Sequence, residues 1–494
     1  MHWAFLGRGL LIVILSFASV QASGADVRLI TAVKNSDHEA IRALLQSGQA
    51  DVNAAEPDGT TALHWAAEQD DAASVEALLR MGAQAGKTNR YGVTPLIRAC
   101  LNGNPAIVRM LLNAGADPNT VAPGGETALM TAARTGKVGA VEALLSSGAD
   151  VNAAEGWRGQ TALMWAAAEG NADVVRTLVQ HGADINQRSI GGFTSFLFAA
   201  RQGKLEAVKA LLEAGVDVNQ KLRAAPPTRA GVEPSEPVDS TGALVMAVGS
   251  GHFELAAYLL EQGIDPNAAD GGWTALHNVT WVRRAGTGDN IPSPEGSGDM
   301  SSLELVRRLV AHGADLDARM DGAARLRGQH IFTTDLTHKG STAFLMAART
   351  ADVELMRLLV NLGADPRIAN QDGTTPLLAA AGVGTASPGE DPGSESEARE
   401  AVRLTLEWGN DVNAVDKKGE TAMHGAAYKH LTSLVPFLVE SGARIDVWNK
   451  PNKYGWTPLK IAEGVQRINN IRPSLPTAAA IRKVMDGTVA SATH

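Results

Sequence analysis

A short word, Gly-x-Thr-Ala-Leu, returns along this chain at a steady interval. Each time it is answered some twenty residues later by a second word, Leu-Leu-x-x-Gly-Ala-Asp-x-Asn. The threonines of the first word stand at Thr61, Thr94, Thr127, Thr161 and Thr194, spaced by 33, 33, 34 and 33 residues. A unit this small cannot enclose an apolar core of its own, so it must bury its apolar face against the units before and after it. The period therefore restricts the chain to a linear stack before any single residue suggests a chemistry.

Within a unit the local signals are helical. Asp58-Gly59-Thr60-Thr61 is a turn followed by a hydroxyl residue able to cap a helix. Ala62, Leu63, Ala66 and Ala67 then form a narrow face of small residues that lets a neighbouring helix approach closely. A second helix carries Val75, Leu78 and Leu79 and stops at Gly82, where a left-handed C-cap is wanted. The same ending recurs at Gly115, Gly148, Gly182 and Gly215. Two short antiparallel helices and an extended turn thus make one unit. An aromatic content of 4% fits helices packed closely through small side chains.

These words closely resemble the ankyrin-repeat family. The entry signature reads Thr61-Ala-Leu-His64, Thr94-Pro-Leu-Ile97, Thr274-Ala-Leu-His277, Thr342-Ala-Phe-Leu345, Thr375-Pro-Leu-Leu378, Thr421-Ala-Met-His424 and Thr457-Pro-Leu-Lys460. The resemblance covers roughly Val27 to Met485 and implies an all-α fold, an α-solenoid of helix-turn-helix units with short β-hairpin fingers. It also implies protein-protein interaction as the function, and no enzyme activity or cofactor.

The expected organisation runs from a signal peptide at 1–25 and an N-terminal capping repeat at 26–53 to regular repeats at 54–219. Interrupted repeats at 220–453 follow, then a C-terminal repeat with a capping helix at 454–486 and a disordered tail at 487–494. Four insertions break the second half. Gln220–Ser240 and Arg319–Lys339 fall between units, where the family places its fingers. Trp281–Met300 and Val383–Ser396 fall between the two helices of one unit. Long loops of this kind inside a repeat array often carry function.

Arg8, an apolar run from Leu10 to Val20 and a small-x-small site ending at Ala22 or Ala25 read as a secretory signal. The run is too short to span a bilayer. The protein is thus expected to be exported, periplasmic or secreted, and monomeric. Cys100 is the single cysteine, which excludes an intrachain disulfide, and its place on a small-residue helix face predicts a buried thiol. A net charge of -9 gives no support to nucleic-acid binding.

Catalytic motifs fail when their spacing is checked. His38-Glu39 opens a zincin-like string, but Arg42 stands where the second His is required, and Gly382-Val383-Gly384 never completes a dinucleotide loop. His330, Asp335 and His338 lie in one insertion without the tight spacing of a metal set. His64, His277 and His424 each follow a capping Thr by three residues, a spacing suited to a hydrogen bond that ties the turn to the helix.

The better candidate is a surface. In the family the residue after the His position lies on the inner, concave face, which here implies Trp65, Arg98, Thr131, Trp165, Phe198, Met246, Asn278 and Met346. The fingers add Trp157, Phe193, Trp273 and Trp456. Aromatic residues, Met and Arg are enriched at interface centres. Two other functions remain open at this stage. One is an enzyme or a sugar or peptide binder whose site the insertions build, with Asp289, Glu295, Asp335 and Glu390 converging; the other is a secreted effector acting on another cell.

Overall fold

The structure is a computed structural model that describes residues 26–224, 238–269, 272–284, 294–321, 336–386, 388–389, 392–466 and 470–492. The fold is that of an all-α repeat solenoid, and the chain divides into two compact units, Met1–Asp150 and Val151–His494. The signal-peptide assignment lies outside the described residues.

In the first unit, helix pairs follow one another as Asp26–Lys34 with His38–Gln46, Ala62–Glu68 with Ala72–Arg80, Pro95–Asn102 with Pro105–Asn113, and Ala128–Thr135 with Val138–Ser146. The first of these occupies the stretch where the sequence expects an N-terminal capping repeat. Thr94 and Thr127 cap their helices through hydrogen bonds from the N–H groups of Ile97 and Met130. At Thr61 the arrangement closes into a box: the threonine hydroxyl lies 2.8 Å from His64 Nδ1, and its N–H donates to the same nitrogen. His64 Nε2 then donates to the carbonyl of Val93 in the next repeat, at 3.0 Å. The histidine is therefore a neutral rivet between turn, helix and neighbour. Burial holds its pKa below the ordinary histidine value.

The closing word has a similar logic. Asp117 Oδ1 accepts from the N–H of Asn119, which shapes the turn. Asn119 in turn donates to the carbonyl of Gly148 at 3.2 Å and accepts from the N–H of Asp150 at 2.8 Å. Asn53 makes the same clamp on Gly82 and Gln84. Each asparagine thus satisfies the backbone around the next unit's glycine C-cap, where φ reaches 85° at Gly82 and 90° at Gly148. Between the helices the small residues are sealed; Cys100 is completely buried, and burial pushes its thiol pKa up to about 12.

The second unit repeats this grammar. Its helix pairs are Ala162–Glu169 with Ala172–Gln180, Ser195–Arg201 with Leu205–Glu213, Ala243–Gly249 with Phe253–Glu261, and Ala275–Arg283 with Ser302–Ala311. Ala343–Arg349 with Val353–Leu362, Pro376–Ala380 with Glu395–Glu407, and Ala422–Lys429 with Leu434–Glu440 follow. Asn152, Asn267 and Asn413 make the asparagine clamp on Gly182, Gly313 and Gly442. His277 and His424 make the threonine box at 2.9 and 3.0 Å and reach the carbonyls of Ser341 and Lys450.

Several boundaries differ from the sequence expectation. The insertion at 220–240 does lie where the family places its fingers, and its ends pair as a two-stranded antiparallel ladder, Lys221–Ala224 against Val238–Gly242. Trp281 belongs to the helix Ala275–Arg283, not to a loop. The final helix runs from Leu475 to Ala492, well past the capping helix expected at Thr477–Met485 and through most of the expected tail. Ala478 and Ile481 bury its inner face. No helix among the described residues is long and apolar enough to cross a membrane.

Candidate functional site

The residues implied for the inner face separate by burial, unit by unit. In Met1–Asp150, Trp65 and Arg98 are half-buried. The Trp65 indole N–H donates to Glu56 at 2.7 Å, and Lys34 sits 4.3 Å from the ring centre while pairing with Glu56 at 2.5 Å. This arrangement holds the ring in one orientation with one side reachable. Arg98 pairs with Glu68 at 3.1 Å. Thr131 is sealed; its hydroxyl turns back to the carbonyl of Thr127 at 3.3 Å, as short side chains on helices often do, so it offers nothing to a partner.

In Val151–His494, Trp165, Phe198 and Met246 are half-buried. Phe193 packs on Phe198 with ring centres 5.0 Å apart, and the Arg201 guanidinium lies 5.7 Å from the Phe193 ring. Trp157, at the tip of its finger, is 82% exposed. Trp456 is half-buried beside Tyr454.

Asn278, Met346 and Trp273 must be corrected as surface residues. Asn278 is 0% exposed, Met346 5% and Trp273 2%. The chain itself covers Trp273 and Met346, which with Met320, Leu336, Leu345 and Ala379 form one buried apolar cluster, to which the insertion at 319–339 contributes Met320 and Leu336; Asn278 turns back on its own helix and donates to the carbonyl of Thr274 at 3.0 Å. His338 sets its ring edge-on to Trp273 at 5.8 Å. Burial and then the nearby Arg349 charge push the His338 pKa down to about 4, so it is neutral. Gly384, from the insertion at 383–396, meets Leu336 so closely that a Cβ there would lie 2.8 Å from Leu336 Cβ. The insertion between units at 319–339 and the insertion between helices at 383–396 therefore touch.

Among the described residues, two arginines of the insertion at 281–300 are engaged in structure. Arg283 grips the fully buried Asp352 at 2.6 Å and Glu354 at 3.0 Å, and Arg284 pairs with Glu397 at 2.8 Å. Arg284 and the N–H of Ser394 hold the Glu397 pKa down to about 2. Glu397, in the first turn of the helix Glu395–Glu407, is thus tied both to its own N-cap and to Arg284 of another insertion. Among the described residues no group of three His, Cys, Asp or Glu could hold a metal ion. His330, Asp335, Asp289 and Glu390 lie outside the described residues, and Glu295 is exposed.

Comparison with known proteins agrees with this geometry. The family described as ankyrin repeats (3 copies) matches residues 29–122, 70–155, 129–222, 196–283 and 394–472, and the single ankyrin repeat matches 339–371. The chain belongs to the ankyrin-repeat family. It is 28% identical to human "Ankyrin repeat and SOCS box protein 16" over 49% of this chain and 51% of that one. It is 29% identical to the Arabidopsis thaliana "E3 ubiquitin-protein ligase KEG" over 45% of this chain and 14% of the other. It is likewise 29% identical to the mouse "B-cell lymphoma 3 protein homolog" over 36% and 41%. The chain spans about half, or less, of the length of these curated relatives.

Ankyrin repeats typically serve protein-protein interaction, and in this ankyrin-repeat chain the finger tips extend the candidate surface beyond what the sequence reading picked out. Tyr91 is 56% exposed, Val121 51% and Ile190 68%. Trp157 and Ile190 share one column, two residues before the positive-φ glycines Gly159 and Gly192, and Tyr91 stands in the next column, immediately before Gly92. A large apolar residue so close to the turn glycine was the available signal.

Proposed function

We propose that this protein is a non-enzymatic binding scaffold that holds a partner protein on the inner-face aromatics and finger tips of its regular repeats. One observation carries the reading. Trp65, Trp165 and Phe198 stay half-exposed in the column that the family leaves free to vary, while the histidines and most buried polar groups around them are consumed in holding repeats together. Aromatic rings are the residues that dominate binding when a partner covers them. The same reading takes the protein to act as a monomer and to be exported, the latter on the strength of Arg8, the apolar run Leu10–Val20 and the small residues that follow.

The test replaces Trp65, Trp165 and Phe198 together with Ser. The expected result is a protein that still folds, at a cost of about 1–3 kcal/mol, and loss of the partner recovered with the native protein from its own compartment. A large fall in stability with the partner retained would assign these rings to packing alone. N-terminal sequencing of the mature protein checks export: a chain beginning after Ala22 or Ala25 supports it, and an intact Met1 opposes it.

A further inference from the structure

Trp165, Phe198 and Met246 stand at the same place on three successive inner helices, Ala162–Glu169, Ser195–Arg201 and Ala243–Gly249, and all three are half-buried. These helices pack side by side, so the three side chains form a row across the stack. Phe193 adds a further ring, 5.0 Å from Phe198, and the Arg201 guanidinium lies 5.7 Å from the Phe193 ring. One helical turn beyond the row stand Glu169, Arg201 and Gln202, all exposed. Among the described residues their side chains make no hydrogen bond and no ion pair, and Arg201 has only its ring contact. The face thus offers apolar sites in series with free polar groups along one edge.

Neighbouring helices pack about 8–10 Å apart, which sets the interval between sites along the row. A ligand that uses every site must repeat at that interval on one face. A β-strand turns alternate side chains to one face at intervals of about 6.5–7 Å, and falls out of step by the second site. A polyproline II segment has three residues per turn and rises about 3.1 Å per residue, so every third side chain returns to one face after about 9 Å. An α-helix also comes back into register, at about 10.5 Å over seven residues, but its carbonyls are bonded within the helix and have no use for Arg201 and Gln202. The carbonyls of polyproline II are unpaired and take such donors.

Resting on the protein-binding reading above, we propose that the row of Trp165, Phe198 and Met246 docks a proline-rich segment of a partner protein in the polyproline II conformation. Apolar residues at every third position would lie on Trp165, Phe198 and Met246, and the carbonyls between them would accept from Arg201 and Gln202. Glu169 would accept the N–H of a residue standing between prolines. Such a segment loses little conformational freedom on docking, because its prolines already fix φ.

The experiment measures fluorescence anisotropy of three labelled peptides of equal length on the full chain. They are a tandem Leu-Pro-Pro peptide, an alternating Leu-Ser strand former and a helix with Leu at every seventh position. The proline-rich peptide should bind at least about tenfold more tightly than either of the others. The R201A/Q202A variant, changed only at exposed positions, should lose about tenfold of that affinity with an unchanged melting curve. Equal or tighter binding of the strand or helix peptide, no effect of R201A/Q202A, or no binding of the proline-rich peptide up to about 1 mM would each overturn the proposal. If the Ser substitutions at Trp65, Trp165 and Phe198 release the native partner while the proline-rich peptide shows no preference, this inference falls and the scaffold reading stands.

Discussion

The inner helices Ala162–Glu169 and Ser195–Arg201 hold Trp165 and Phe198 half in water, whereas Ala275–Arg283 and Ala343–Arg349 seal Asn278 and Met346 in the same column. The helices obey one pattern; what differs is the chain between them. Short turns lead into the helices of Trp165 and Phe198, whose rings stay partly in water. Farther on, the insertion at 319–339 brings Met320 and Leu336 into one cluster with Trp273 and Met346 and sets His338 against Trp273, with Gly384 closing on Leu336 from the other insertion. Added loop length costs little closure entropy, so the insertion can gain from apolar contacts that a short finger cannot reach. The lesson is that a column variable in identity can serve a partner in one stretch and the chain's own insertion in another.

That contrast is broken most directly by truncating one tryptophan from each side. Trp273→Ala should destabilise the second unit by roughly 3–5 kcal/mol, because it empties the centre of the cluster. Trp157→Ala should stay within about 0.5 kcal/mol, since its ring already stands in water. Urea unfolding of both variants decides the matter; similar losses would mean that the two regions are built alike.

Glycine substitutions sharpen the comparison at the insertion's anchor. Ala is intrinsically better than Gly in a helix by about 1 kcal/mol. At exposed Gly487, with nothing within 4 Å, Gly487→Ala should raise the melting temperature slightly. At Gly425 a Cβ would lie 2.7 Å from the Val383 nitrogen and 2.8 Å from the Ala381 oxygen. Gly425→Ala should therefore cost about 1–3 kcal/mol by forcing the insertion away. A stabilised Gly425→Ala protein would show that this close approach is not held in solution.

Acid offers the gentlest probe. His277, His338 and His424 fall within the interrupted stretch, and burial leads the effects that lower each pKa to about 4, against about 6.5 in an unfolded chain. Above pH 6.5 both states are neutral and the contribution is complete. Between about 6.5 and 4 the unfolded chain binds the protons that the folded one refuses, so stability falls as pH falls. His277→Met, using the residue found at Met130 and Met164 in this column, should flatten part of that slope. An unchanged slope in denaturation curves between pH 7 and pH 4 would remove His277 from the account.

Much of this was legible in the residues. The Thr61 and His64 spacing foretold the capping box, Gly82 and Gly148 the left-handed helix ends, and Cys100 a sealed thiol, because all three are local geometry written within a few residues. The second half of each link was not legible. Nothing near His64 says that Nε2 will find Val93, and nothing near Asn119 says that it will clamp Gly148, since those partners lie about one repeat away and are met only on stacking. Trp273 misled for the same reason. Its place in the finger matched that of Phe193, but its neighbours in space come from residue 320 and beyond.

The repeat period and its capping words were enough to dictate helix pairs, their ends and a stacked all-α architecture, because each depends on φ preference, capping and helical spacing along a short stretch of chain. Which inner-face side chains remain in water was decided only in three dimensions. Burial is settled by every segment that packs nearby, and the segment that covers Trp273 and Met346 enters from an insertion whose path no local pattern specifies.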